Sequence, residues 1–379
     1  MRHRKFVALA AAAVLGLASL PASAAEKRSL CIFDIVGQSG DTFNMMRDYR
    51  TAALAWGVDF DLKVYTDEKI AMEDLKAGQC DSAAITGIRA RSLNAYTGSL
   101  DSIATLPTYR HVQEVIKILA SGHPKINEKL VSGQFEVVGI APMGAAYLFV
   151  KDRTINNVNK LAGKSISVME YDTAQAKMAS RVGMSPVLSD VTNFAGRFNN
   201  GNVDICFAPM MAYSALELYK GMQPNGGIVD YVLGQLTLQV LTRHELFPAG
   251  FGQKSREYLA GQFDHAMRIV ENAEKEVDQK WWIRIPEADR MRYDEMMRDA
   301  RIELTEQGIY NKDMMSLLRN VRCQLSAADG ASALQQQLEQ HNQQLQQQLS
   351  SLEQQHQKNQ YVDFNHQRIF SRNRDVANQ

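Results

Sequence analysis

The run Cys31-Ile32-Phe33-Asp34-Ile35-Val36 meets Gly37-Gln38-Ser39-Gly40-Asp41 and then helix-compatible residues. Strand, glycine loop and helix are the parts from which a phosphate cradle is built. This loop lacks the Lys-Ser/Thr ending of a P-loop and the three-glycine spacing of a dinucleotide turn. Asp34 is a carboxylate at a strand end, with no second acid at a fixed spacing. No HExxH, GxSxG or CxxC occurs, and the eight histidines are scattered; His111, beside Arg110 on a helix, reads as a surface residue. The residues point to no cofactor and no metal. An enzyme would have to assemble its groups from distant loops. The loop's own chemistry is neutral hydrogen bonding from Gln38 and Ser39, with glycines that let backbone approach a ligand.

Strands and helices must position these residues. Ser29 to Val36 reads as a strand and Asp41 to Trp56 as a helix, with Asp41 as N-cap. A strand over Val58 to Tyr65, a helix over Lys69 to Ala77 ended by Gly78, a strand over Cys80 to Thr86 and a helix over Ile88 to Tyr96 follow. The alternation predicts a mainly parallel sheet, with functional loops at the carboxyl ends of its strands. The pattern then restarts: strand Lys164 to Met169, helix Thr173 to Val182 begun by Asp172, helix Asn193 to Asn199, strand Asn202 to Ala208. DLKAGQCDSAAIT (74–86) and RFNNGNVDICFAP (197–209) each give a helix end, a Gly, two residues, an Asp and an apolar strand. Any α/β chain repeats helix-Gly-strand, but a whole βαβαβ unit met twice predicts two similar lobes. Asp81 and Asp204 would orient those turns. The apolar stretches 137–152 and 228–242 are candidates to cross between lobes. Helices over 255–282, 288–306 and 312–321 come last, the first long enough to lie across both lobes and ending at Trp281-Trp282, which read as core anchors.

The ends carry other signals. Arg2-His3-Arg4-Lys5, an apolar run from Phe6 to Leu20 and Pro21-Ala22-Ser23-Ala24 read as a secretory signal peptide cleaved after Ala24. Its apolar run is short for a membrane span. Export permits disulfides. Cys31 and Cys80 each open a strand and are the disulfide candidates, although four cysteines allow three pairings; Cys206, inside an apolar strand, suits a free buried thiol. Lys+Arg and Asp+Glu balance at 42 each, which gives no reason for a nucleic-acid partner. After a linker at 326–330 the chain becomes glutamine-rich. Leu338, Leu345 and Leu352 recur every seven residues, with Asn342 and Leu349 at the partner position. This is a short coiled coil, self-associating through residues 334–356, or a flexible tail. Residues 361–379 are expected to be disordered.

INNVNKLAGKSISVMEYDTAQAKMASRVGMSPV, FNNGNVDICFAP, LKAGQCDSA, LPTYRHVQEVIKIL and FPAGFGQKSREYLAGQFDHAM resemble segments of TRAP-type periplasmic solute-binding proteins over roughly residues 28–310. A subgroup of solute-binding proteins, some bearing an RND-type efflux label, shares CxFDxxGxSGDxFN, GQCDxxxxTGIRAR, GIAPMGAAYLFVxDR, TNFAGxFNNGxVD and FPAGFGQKSR, and this chain carries all five. The resemblance implies an α/β, two-lobed periplasmic-binding-protein-like fold of type II, with C-terminal helices and the glutamine-rich tail added. Its domains would be a signal peptide (1–24), lobe 1 (25–145, with part of 229–325 returning to it), lobe 2 (146–228), crossing strands and helices (229–325), and linker and tail (326–379). It implies capture of a small polar solute, with inner-membrane transporter subunits as partners. An envelope accessory protein acting through the tail is the alternative.

One departure stands out. The TRAP family carries an Arg in the strand motif I-R-V that pairs with a ligand carboxylate; here the position is Ser167. The bidentate clamp cannot come from there. Arg89 is either a substitute charge or a surface or structural arginine, and Glu170 and Asp172 suggest a cationic or polyhydroxy ligand. Strand-end placement gives Asp34, Gln38, Ser39, Thr86, Arg89, Met143, Tyr147, Glu170, Tyr171, Asn193, Phe194, Pro209 and Tyr213 as cleft residues.

Overall fold

The computed structural model describes the backbone of residues 25–376 and the side chains of 25–348, 350 and 351. The expected signal peptide lies outside the described residues. Two parallel units are joined through two long antiparallel strands in one sheet. The first unit is Glu26–Phe33 between Val58–Tyr65 and Ser82–Thr86, all parallel. The second is Ser165–Met169 between Ser185–Ser189 and Ile205–Pro209, again parallel. Gly234–Arg243 pairs antiparallel with Ser82–Thr86 on one side and with Phe135–Val150 on the other. The 16-residue strand Phe135–Val150 then hands its last five residues to Ile205–Pro209. The stretches expected to cross between lobes therefore do so.

The duplicated sequence pattern has a physical content that the spacing alone did not reveal. Gly78 and Gly201 sit at φ +75° and +76°, the left-handed conformation that glycine takes without steric cost. Three residues on, Asp81 accepts from the amide (2.7 Å) and hydroxyl (3.0 Å) of Ser29, and Ser29 Oγ accepts from the Asp81 amide. In the other lobe Asp204 accepts from the amide (2.9 Å) and hydroxyl (2.8 Å) of Ser165, and Ser165 Oγ accepts from the Asp204 amide. The same clamp thus sets the register of the inner strand in each unit. Burial pushes the Asp204 carboxyl up, but the Ser165 amide and hydroxyl outweigh it and hold it below the usual range.

Cys31 and Cys80 form a disulfide with Cα atoms 6.0 Å apart, buried in the first-lobe core. Cys206 is a free buried thiol whose pKa burial raises. The first-lobe core recruits Met314, Leu318 and Val321 from the final helix, while Tyr293, Met297 and Ala300 of helix Glu287–Glu306 pack in the second. The C-terminal helices thus back both lobes.

Several local expectations are corrected. The segment 255–282 is not one helix: Phe251–Gly261 and Phe263–Lys275 are separate, with Gln262 at φ −87°, ψ 6° between them. Trp281 ends a short turn and Trp282 begins a two-residue strand beside Gly227–Val229, and both pack on the second-lobe core as anchors. The helix expected over 88–96 is two short ones, Gly87–Ala90 and Ala95–Gly98. His111 is buried, not on the surface, with Nδ1 2.7 Å from the Thr108 hydroxyl. Residues 326–330, expected as a linker, belong to the helix Lys312–Val376; the side chains of 352–379 lie outside the described residues.

Asp101 braces the crossing strand: it accepts from the amide (3.0 Å) and hydroxyl (2.6 Å) of Thr237. Burial pushes its carboxyl from 3.8 up to about 7. The folded protein then holds this proton where the unfolded chain has lost it, so Asp101 lowers stability as pH rises from about 4 through about 7. Asp101→Asn, which keeps the shape without the charge, should flatten that decline in urea midpoints measured across the window; an unchanged slope would remove Asp101 as its source. For the disulfide, which closes a separation of 49 residues, chain entropy predicts that reduction costs about 4 kcal/mol of stability, readable by urea unfolding with and without dithiothreitol.

Candidate functional site

The opening loop is built around Asp34. Its Oδ1 accepts from the Val36 amide (2.9 Å) and its Oδ2 from the Phe43 amide (3.0 Å). A Cβ at Gly40 would lie 1.9 Å from Asp34 Oδ1, so the loop wraps the carboxylate too closely for any side chain there. This corrects the expected cap. Gly40 is the N-cap of helix Asp41–Leu54 and makes no side-chain cap, and Asp34 supplies the acceptor from the strand end. Burial pushes the Asp34 carboxyl up, and the Phe43 and Val36 amides pull against it. Those two amides are spent on Asp34. The loop therefore does not present the free amides a phosphate would need.

Between the lobes lies a cavity of about 360 Å³, within the size range of small-molecule sites. Asp34 and Thr86 reach it from first-lobe strand ends, Tyr171, Phe194 and Pro209 from the second lobe, and Met143 from the crossing strand. These six expected residues are brought together. Seven are not. Gln38 and Ser39 are exposed on the loop. Tyr147 packs edge-on to Trp282, and Tyr213 stacks on Phe149. Asn193 Oδ1 accepts from the Asp190 amide. Glu170 pairs with Lys69 at 3.5 Å.

Arg89, the seventh, marks the join of the lobes. Glu68 is fully buried; it accepts from the Thr86 amide (2.6 Å) and Arg89 Nε (3.0 Å), both first-lobe partners, and from the Tyr171 hydroxyl (3.2 Å) of the second lobe. The Arg89 guanidinium lies 3.6 Å from the centre of the Tyr171 ring, a desolvated cation–π contact. Burial, then the charge of Glu68, drives the Tyr171 phenol far above its usual range, so it stays a donor. Next along the chain, Asp172 accepts from Arg91 Nη1 (2.9 Å) and from the Ala174 amide (3.0 Å), capping helix Thr173–Arg181. Glu170, Tyr171 and Asp172 thus each bond to the first lobe. The two acids are held against that lobe and neither lines the main cavity, although Asp172 lines a second one. Tyr171 and Ile88 line both the main cavity and a second of about 240 Å³ that holds Arg89 and Arg91; they are the partition between the two.

Ser167 donates to Ser189 Oγ at 2.5 Å and is buried. It does not line the main cavity.

Sequence reasoning expected helix here but missed that Phe263–Lys275 places Ile269, Asn272 and Ala273 on the cavity, with Glu276 just beyond its end. It lies close because Gly144, at φ +97°, leaves room: a Cβ there would meet Val270 at 2.8 Å. Tyr109 fastens the pair, accepting from the Ala145 amide (3.0 Å) and donating to Glu274. Phe33, Met169, Phe207, Met211 and Leu236 were also missed. They sit on strands and short helices whose apolar pattern reads equally as core.

Residues 51–337 match the family model described as "Solute-binding protein AdeT 1/2". The chain is 44% identical over 303 residues to the probable solute-binding protein AdeT1 of Acinetobacter baumannii, covering 80% of this chain and 99% of that one. Its fold is similar to that of a TRAP periplasmic solute-binding protein from Desulfovibrio salexigens with bound orotic acid (TM-score 0.66, 15% identity, 79% of this chain and 99% of that one). It is also similar to one from Ralstonia eutropha H16 with bound (S)-2-acetolactate (TM-score 0.62, 13% identity, 79% and 99%). At these identities the likeness to the solved structures is one of fold.

Removing one member of the buried set leaves the others uncompensated. Glu68→Ala should destabilise the protein by about 3–5 kcal/mol, because it strands the Arg89 charge. Tyr171→Phe, which loses one donor and keeps the ring over Arg89, should cost about 1 kcal/mol. Chemical denaturation checks both, and equal costs would refute the asymmetry.

Proposed function

The chain belongs to the AdeT 1/2 family of solute-binding proteins, and from that premise we propose that it captures a small solute between its two lobes in the periplasm and passes it to a TRAP-like membrane transporter. The observation that carries this is the cavity of about 360 Å³ formed from strand ends of both lobes beside the Glu68–Arg89–Tyr171 contact. Opening the lobes would break that contact, and a solute held by both faces would favour closure. The basic and apolar N-terminus supports export. Transfer of solute, rather than chemistry on it, accords with the family and with the way Asp34 is committed to its own loop.

A second role is favoured by one observation. Leu338 and Leu345, one heptad apart on the helix Lys312–Val376, are 55% and 48% exposed. Such a spacing suits pairing with a second helix, and the tail would then recruit another copy or an envelope partner.

The test is thermal unfolding of the mature chain, from Ala25, against a panel of organic acids, amino acids, sugars and amines, repeated on a chain ending at residue 330. A solute at about 100 times its Kd should stabilise both by about 2.7 kcal/mol. Sedimentation of the two chains reads the tail: a lower oligomeric state only after truncation supports the second role. A panel without a single shift would refute solute capture.

A further inference from the structure

The cavity wall carries the same sign of charge as the acids held by the solved proteins of this fold. The main cavity is lined by no lysine, arginine or histidine. The position that would carry a carboxylate clamp is Ser167, turned to Ser189. The nearest guanidiniums, Arg89 and Arg91, lie behind the partition of Tyr171 and Ile88, each bonded to a buried carboxylate. A solute carboxylate entering this cavity would lose its water and find no cation.

What the wall does offer is apolar surface and negative charge. Phe194, Phe207, Met143, Met169, Met211 and Leu236 form a soft apolar bed. Methionine side chains adapt to irregular bodies, and aromatic faces attract cations. Carboxylates approach from two sides: Asp41 at the start of its helix, with Asp34 behind it, and Glu276 beyond the end of helix Phe263–Lys275. Asp34 is saturated by loop amides, whereas Asp41 and Glu276 are exposed and have no lysine or arginine ion-pair partner among the described residues.

We propose that the solute of this cavity is an organic cation, a protonated amine on a compact apolar or aromatic body. Its ammonium turns toward Asp41 and Glu276, and its body sits among the phenylalanines and methionines. The proposal rests on the solute-capture reading and narrows it to a class of ligand.

The experiment uses three matched series on phenyl, cyclohexyl and butyl bodies, each ending in a primary amine, an alcohol or a carboxylate. Thermal shift and calorimetry are run on the full mature chain and on an Asp41→Asn, Glu276→Gln variant. The amine should bind at least about tenfold tighter than the carboxylate on the same body, and the variant should bring the two within about twofold. Carboxylates that bind as tightly as amines overturn the class and leave solute capture standing. An amine preference that survives the double substitution overturns the assignment of these two acids. Silence from all three series, beside a solute found in the broader panel, overturns the class alone; silence from both removes capture as well.

Discussion

A carboxylate that is fully out of water must be neutralised and bonded on all sides, and Glu68 meets that demand only with both lobes in place. Its partners are a backbone amide and a guanidinium from its own lobe and a phenol from the other. With Tyr171 withdrawn, one acceptor site and one face of Arg89 would have to be rehydrated. Separation of the lobes is therefore resisted at this buried point, and the neighbouring Lys69–Glu170 and Arg91–Asp172 pairs extend it into a seam. Of these, the exposed Lys69–Glu170 pair adds little. The buried groups set the geometry.

The seam joins two lobes that are similarly built. Each inner strand is pinned by a serine–aspartate clamp at its start, and each following helix ends in a left-handed glycine. The two units share one sheet through a pair of crossing strands with register shifts at Leu236/Thr237 and Val240/Leu241. A long antiparallel pair keeps its backbone bonds while it twists, so it can join lobes that move without exposing unpaired amides. The helices behind the sheet, Glu287–Glu306 and the start of Lys312–Val376, bury apolar faces on different lobes.

The cavity's character follows from where charges were committed. The acid at the strand end is consumed by the loop that surrounds it, and the arginines near the join are consumed by the seam. What is left to meet a solute is apolar surface from both lobes and carboxylates at the margin. The fold is shared with proteins that hold small acids, yet recognition depends on the side chains that remain free.

Much of the architecture was legible in the chain. Alternating strands and helices, glycine stops and two apolar stretches without helical period gave the parallel units and their crossing. Local chemistry dictates each of these: period, capping and left-handed turns are properties of a few neighbouring residues. Six of the thirteen expected cleft residues reach the cavity, because strand ends in such a sheet converge whatever their side chains. The other seven lie off that cavity, several of them for a tertiary reason. Whether Arg89, Glu170 or Asp172 faces a ligand or an ion-pair partner depends on which oppositely charged group packs opposite, and Glu68, Lys69 and Arg91 are distant in sequence from residues 170–172. Nor could any local pattern reveal that helix Phe263–Lys275 closes over the cleft, since its approach is set by Gly144 far away in the chain. The sequence by itself determined the elements, their order and the loops that converge. Only the tertiary structure decided which charges cancel one another and which stay free for a solute, because neutralisation in a buried site is a relation between groups that the chain brings together only when folded.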